Sequence, residues 1–283
     1  MANRKGVCWM CGRAGPLTEE HAFPDWVRKI FARDGNDIAL SDQRAGVTRR
    51  SRTWTNSSGE IVVRSVCGPC NNGWMSGLEG RCKPILEPLI TGHPARLGPD
   101  AQAVLALWAV KTAWVFQSTN PATSTCTADQ KRAIGVDGTV PDGVQVLLGG
   151  YQETGDNVVC TYWYTAGSTT VAQPDRLDAS ATTLVIGRAV LQVLQMRAAA
   201  DGPSSPPPQQ PPPATFVLHN LLPPTGQSLD WPSGPPLCQA DLDEFTKPPG
   251  FSTRPWPSLP PLTAPPVPEP CATPERPADP GRP

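Results

Sequence analysis

Two Cys-x-x-Cys pairs, Cys8-Trp9-Met10-Cys11 and Cys67-Gly68-Pro69-Cys70, constrain this chain more than any other feature. Each pair presents two thiols from one tight turn, and the two pairs together complete the four-sulfur tetrahedral shell of a structural zinc ion. The competing readings of paired cysteines are a disulfide and a thiol redox centre, although two pairs exceed what redox chemistry needs. The other five cysteines, Cys82, Cys126, Cys160, Cys238 and Cys271, are scattered singly. That usage suits a reducing compartment better than a secreted disulfide framework.

The stretch between the pairs carries the one cluster with obvious catalytic chemistry, Glu20-His21-Ala22-Phe23-Pro24. A neutral imidazole can accept a proton near pH 7, and a carboxylate is an oxygen ligand for a hard divalent metal. The structural alternative makes His21 a packing residue beside the zinc, or one of its ligands. Gly12-Arg13-Ala14-Gly15-Pro16 is a turn signal, and Ile61–Val66 is a β-rich run that ends at Cys67. From Asn71 onward, Trp74, Met75, Leu78 and Cys82 recur at helical spacing, with Trp74 and Leu78 expected in the core. Residues 25–33 read as a short amphipathic helix with Trp26, Val27, Ile30 and Phe31 on one face. Arg44, Arg49, Arg50 and Arg52 then crowd into nine residues without a carboxylate. Guanidinium forks match phosphate oxygens, so this stretch reads either as a phosphate-binding loop or as a solvated one.

Cys-x-x-Cys, then Glu-His-x-x-Pro, then Cys-x-x-Cys-Asn at the head of a helix resembles an HNH-type nuclease with a treble-clef, ββα-metal core. More narrowly, Leu17–His21 together with Cys70–Glu79 is similar to HNH-type proteins of actinobacteria and their phages. The resemblance covers residues 6–90. It implies that His21 is the general base, that Glu20 and Asn71 hold a catalytic Mg²⁺ or Mn²⁺, and that the four cysteines hold a separate structural Zn²⁺. It further implies a metal-dependent endonuclease acting on DNA phosphodiester bonds. The family's middle asparagine falls where this chain has Ile61–Val66, and Asn56 is the nearest substitute. The alternative function is a catalytically inactive, zinc-dependent nucleic-acid-binding or adaptor protein.

Beyond residue 90 the sequence is organised by apolar periodicity and by proline, of which the whole chain has 36. Residues 100–118 form a helix too apolar for one narrow stripe, hence largely buried. Lys111 is the notable charge in it, and the usual fate of such a lysine is to reach the surface by its stem. His93 reads as a turn residue. Residues 144–149, 158–164 and 182–186 read as strands, 189–196 as strand or helix, and 240–245 as a helical turn. The expected fold class is therefore α+β: a zinc-stabilised treble-clef module over 1–94, then an α+β domain over 95–246 with a small, mostly antiparallel sheet. A proline-rich loop interrupts the second domain at 202–214, and a disordered proline-rich tail follows over 247–283. A net charge of −1 hides a basic excess in residues 1–90 and an acidic one after them, which suits an anionic partner for the first part. No apolar run reaches the ~18–20 residues of a membrane span, so a soluble cytoplasmic protein is expected.

Overall fold

In the computed structural model of this chain, residues 5–31, 38–45, 51–56, 62–119, 124–152, 158–166, 177–196 and 216–245 are described. The first helix in importance is α3 (Pro99–Gln117), and every residue from Leu105 to Gln117 is buried. Proline at its first position costs no hydrogen bond, because that N–H has no intrahelical partner in any case. Trp108, Trp114 and Leu105 are fully buried along it. Side chains of this size contribute ~1.5–3 kcal/mol each on burial, which explains why the rest of the molecule is arranged around this helix.

One side of α3 meets α2 (Ser76–Thr91); the other lies on a seven-stranded sheet. That sheet has the order β11-β7-β10-β9-β8-β3-β4. Its centre is β7 (Val144–Gly150), β10 (Ala189–Met196) and β9 (Leu177–Ile186), all antiparallel neighbours, with Leu191 opposite both Leu148 and Leu184. Alternate residues serve alternate faces. Val146, Leu148, Leu184, Leu191 and Val193 join the core around α3. Leu147, Val185, Val190 and Leu194 form a second cluster with Phe216 and with Leu242 and Phe245 of α5 (Gln239–Phe245). Strand β11 (Leu218–Leu222) pairs with β7 at one edge. At the other end β8 (Val158–Ala166) carries β3 (Ile38–Ala45) in parallel, and β3 carries β4 (Ser51–Asn56) antiparallel. The fold is thus α+β with mostly antiparallel sheets, as expected. Strands β3 and β4 come from between the cysteine pairs, and Thr53-Trp54-Thr55 on β4 has the β-branched and aromatic character that strands favour.

A smaller antiparallel sheet, β1-β2-β5, lies beside α3. It consists of β1 (Lys5–Val7), β2 (Ala14–His21) and β5 (Val62–Cys67). A bulge in the β2–β5 pair places Arg64 and Ser65 opposite Glu19, since Thr18 faces Val66 and Glu20 faces Val63. After β2 comes α1 (Asp25–Phe31); after β5 the chain makes a π-helical turn, Cys70–Met75, before α2 begins. The sequence predicts a continuous helix from Asn71. Gly73 interrupts it, with φ −97° and ψ −110° inside the turn. Gly92, at φ 76°, closes α2 in the left-handed conformation that glycine adopts at least cost. A short pair, β6 (Ala95–Leu97) with β12 (Leu229–Trp231), and α4 (Ala128–Asp137) complete the described elements.

The hydrophobic cluster around α3 runs from Cys8 and Val66 through Leu78 and Leu86 to Val146 and Trp231. The cysteine-bearing sheet and the larger sheet therefore share one core across α2 and α3. No helix among the described residues is long and apolar enough to cross a membrane. The proline-rich segments 202–214 and 247–283 lie outside the described residues.

Candidate metal centre

The knuckle between β1 and β2 is closed by backbone hydrogen bonds. The Gly12 N–H donates to the Cys8 carbonyl at 2.9 Å, and the Cys8 N–H donates to the Arg13 carbonyl at 2.9 Å. Gly12 has φ 73°, a conformation costing an L side chain roughly 1–2 kcal/mol, which is why glycine follows Cys11. Trp9, between the cysteines, donates from its backbone to the Ser65 carbonyl and from Nε1 to the Trp114 carbonyl at 2.8 Å. The knuckle is thereby fastened to β5 and to α3. From above, the Lys131 ammonium of α4 sits 3.4 Å from the Trp9 ring centroid, a cation–π contact in a partly desolvated place. Helix α4 starts with a capping box: Thr127 and Gln130 exchange side-chain and backbone hydrogen bonds. Thr-x-x-Gln ahead of Ile134 was the sequence signal that could have found it.

The Sγ atoms of Cys8, Cys11, Cys67 and Cys70 all lie within 4.8 Å of one another. Cys8 and Cys70 are 3.9 Å apart, Cys11 and Cys67 3.7 Å. A tetrahedral zinc with bonds of about 2.3 Å sets sulfurs about 3.8 Å apart, whereas a disulfide needs about 2.05 Å. All four are free cysteines. The spacing therefore fits a metal ion and not a disulfide, and the all-thiol donor set suits zinc. The Cys67 N–H points at Cys8 Sγ, 3.3 Å away, and Arg13 Nε at Cys11 Sγ, 3.5 Å away, the N–H···S contacts that orient thiolates around a metal. Burial raises the thiols of Cys67 and Cys70. Burial acts on Cys11 in the same sense, but hydrogen bonds from Arg13 and its cysteine neighbours outweigh it and bring that thiol down to about 6.

The residues named for catalysis lie at the adjacent end of β2. His21 is the last residue of the strand, half-buried, opposite Val62. Asn71 reaches across from the turn after the second cysteine pair, its Nδ2 donating to the Glu19 carbonyl at 2.7 Å and to Thr18 Oγ1 at 3.1 Å. Since a carbonyl only accepts, the amide orientation is set, and Oδ1 is the atom left for another partner. Glu19 turns outward into an ion pair with Arg64. Glu20 turns inward, and its Oε1 lies 3.1 Å from Lys111 Nζ.

Lys111 is fully buried, and the same ammonium lies 2.5 Å from Oε1 of Glu79 on α2. Surface escape by the stem is thus overturned: two carboxylates meet Lys111 inside the core. Burial raises the Glu20 pKa, and Lys111 partly offsets that shift. Glu79 stands in the quoted Cys70–Glu79 motif, but nothing in its spacing announced Lys111 as its partner.

Arg44 stands on β3 and Arg52 on β4, with Asp42 opposite Arg52, while Arg49 and Arg50 lie outside the described residues. Asn56 ends β4 in the seven-stranded sheet, not the sheet that carries the cysteines. The remaining imidazoles are placed elsewhere: His93 Nδ1 bonds Thr91 Oγ1 at 2.7 Å, in the turn the sequence predicted, and His219 lies on β11. Comparison with protein-family models, with curated proteins and with solved structures found no match for this chain.

Proposed function

We propose that this chain is an HNH-like endonuclease that hydrolyses DNA phosphodiester bonds, built on a treble-clef module held by a Cys8–Cys11–Cys67–Cys70 zinc. The knuckle after β1, the β1–β2 hairpin, and the second cysteine pair at the head of the turn leading into α2 support the treble-clef reading. One observation carries the functional reading. Asn71, the motif's last position, is hydrogen-bonded at 2.7 Å to the backbone of Glu19, next to Glu20 and His21. The Glu-His piece of the motif and its last position thus meet, although Asn71 and Glu19 are 52 residues apart in the chain.

In this reading His21 accepts the proton of the attacking water, the role suited to an imidazole neutral near pH 7. Asn71 Oδ1 and the Glu20 oxygen not bonded to Lys111 are hard donors that fit Mg²⁺ or Mn²⁺. When bound, that ion supplies charge stabilisation at the leaving oxygen. Arg13, which is exposed, and Arg64, exposed and paired with Glu19, are cations near this end of β2 that phosphates could meet, and the Arg44–Arg52 stretch supplies four more in sequence.

The second reading is a zinc-dependent nucleic-acid-binding or adaptor protein without catalysis. It is favoured by the Lys111 ammonium, which already neutralises Glu20. Plasmid nicking across several divalent metals separates the two. The nuclease reading expects metal-dependent nicking that His21→Ala abolishes while zinc content and DNA affinity persist. Equal background activity in both proteins supports the binding module instead.

A further inference from the structure

We infer that Lys111 is the residue that sets how strongly the candidate site takes a divalent cation, because its buried ammonium already sits on the carboxylate such a cation would use. The inference rests on the nuclease reading only in taking Glu20 as a ligand. Lys111 has no exposed surface, and it joins three separate elements: its own α3, Glu20 of β2 at 3.1 Å and Glu79 of α2 at 2.5 Å. It cannot leave without stranding the buried Glu20 carboxylate, a costlier state than the paired one. A divalent cation at Glu20 must therefore join the ammonium rather than replace it.

The charge count then favours weak binding. Glu20, Glu79 and Lys111 together carry one negative charge instead of two, and Asn71 adds a neutral donor. Repulsion between the ammonium and the incoming cation is strong at this distance because the surroundings screen poorly. Lys111 thus plays two parts: it holds β2, α2 and α3 in register, and it keeps the site from retaining a cation tightly. A lysine kept only for packing would carry the first part and not the second.

The test is Mn²⁺ binding to the zinc-loaded full chain, with free Mn²⁺ counted by electron paramagnetic resonance. Lys111→Met keeps the side-chain volume and frees both acids, so it is expected to tighten Mn²⁺ binding by about tenfold. Glu79→Gln keeps the ammonium and removes one negative charge, so it is expected to weaken binding by about three- to tenfold. Unchanged affinity in a zinc-retaining Lys111→Met protein, unchanged affinity in Glu79→Gln, or no Mn²⁺ bound by any of the three proteins overturns the inference. If Lys111→Met fails to keep zinc, Glu79→Gln decides alone, since the Glu79 side chain is 22% exposed and tolerates the change. The predicted ranking without DNA nicking would remove the nuclease reading and leave this inference standing. Nicking without the ranking would do the reverse.

Discussion

The cysteine cluster and the Lys111 triad are both polar groups drawn into one hydrophobic core, and they are held in different ways. Four thiols crowd within 4.8 Å, and burial resists the ionisation of two of them, Cys67 and Cys70. In the proposed reading the cluster's stability comes from a metal ion that the four sulfurs could hold. The triad carries its own cation, with three charges on three elements and no external ion required. The first should fail when zinc is withdrawn and the second when Lys111 is removed. The comparison teaches that the same strand, β2, starts beside a cluster that could be held by coordination and ends on an internal ion pair. Of the candidate catalytic residues, Glu20 belongs to the second anchor and His21 follows it at the end of the strand.

The largest expected effect is loss of zinc. Chelation, or Cys67→Ser, should unfold the β1-β2-β5 sheet and the turn into α2, because structural zinc contributes on the order of 10 kcal/mol to small modules of this kind. Hydrogen exchange should show protection lost around Cys8, Leu17 and Val66, while β7, β9 and β10 retain theirs. Simultaneous loss across the large sheet would mean that the shared core transmits the failure, and the two anchors would not be separable.

Breaking the triad comes next. Lys111→Met should cost about 3–5 kcal/mol, as for other buried ion pairs that lose one partner. Adding Glu20→Gln and Glu79→Gln to that variant should recover most of the loss, measured by chemical denaturation at fixed zinc. The pH dependence follows from Glu20, whose folded pKa is raised chiefly by burial. A raised carboxyl pKa means that the folded state holds the proton more tightly, so its contribution to stability is greatest at low pH. It falls as pH rises from the unfolded value of about 4.3 through the folded one. Lys111→Met removes a charge that lowers this pKa, so the fall should extend to higher pH. A variant with the wild-type pH profile would show that Lys111 and Glu20 do not interact energetically.

The smallest effects concern the backbone around the two anchors. Gly12→Ala, at φ 73°, should destabilise the knuckle by roughly 1–2 kcal/mol. Gly80→Ala lies on α2, where an added Cβ meets nothing within 4 Å. It should stabilise by roughly 0.5–1 kcal/mol. Thermal denaturation of the two variants side by side tests both signs, and a stabilising Gly12→Ala would mean that the turn is not held as described.

How much of this was legible in the sequence depended on whether the signal was local. The cysteine pairs were readable because each pair's geometry is set within four residues, and α3, β7, the end of β9 and α5 were readable from apolar periodicity, whereas 189–196, left open between strand and helix, is strand β10. The Lys111 triad was not: Lys111 is 91 residues from Glu20 and 32 from Glu79, and no spacing rule links charges brought together by helix packing. The β3–β4 hairpin was missed for a similar reason. Its arginines read as a phosphate-binding or a solvated loop, while the partner strand β8 is more than a hundred residues away in the chain. The helix predicted from Asn71 began instead at Ser76, because Gly73 tolerates a backbone that breaks α geometry. Glu20 and His21 were found as a motif, but which way each side chain turns follows from strand alternation and from what α3 presents to β2.

X-ray absorption at the zinc edge of the purified, full-length protein tests the central claim most directly, because it asks at once what holds the metal and whether His21 is left free for chemistry. The account predicts one zinc per chain with four sulfur scatterers at about 2.3 Å and no imidazole in the shell. A three-sulfur shell completed by a histidine nitrogen at about 2.0 Å would contradict it. His21 would then be a structural ligand and not a base.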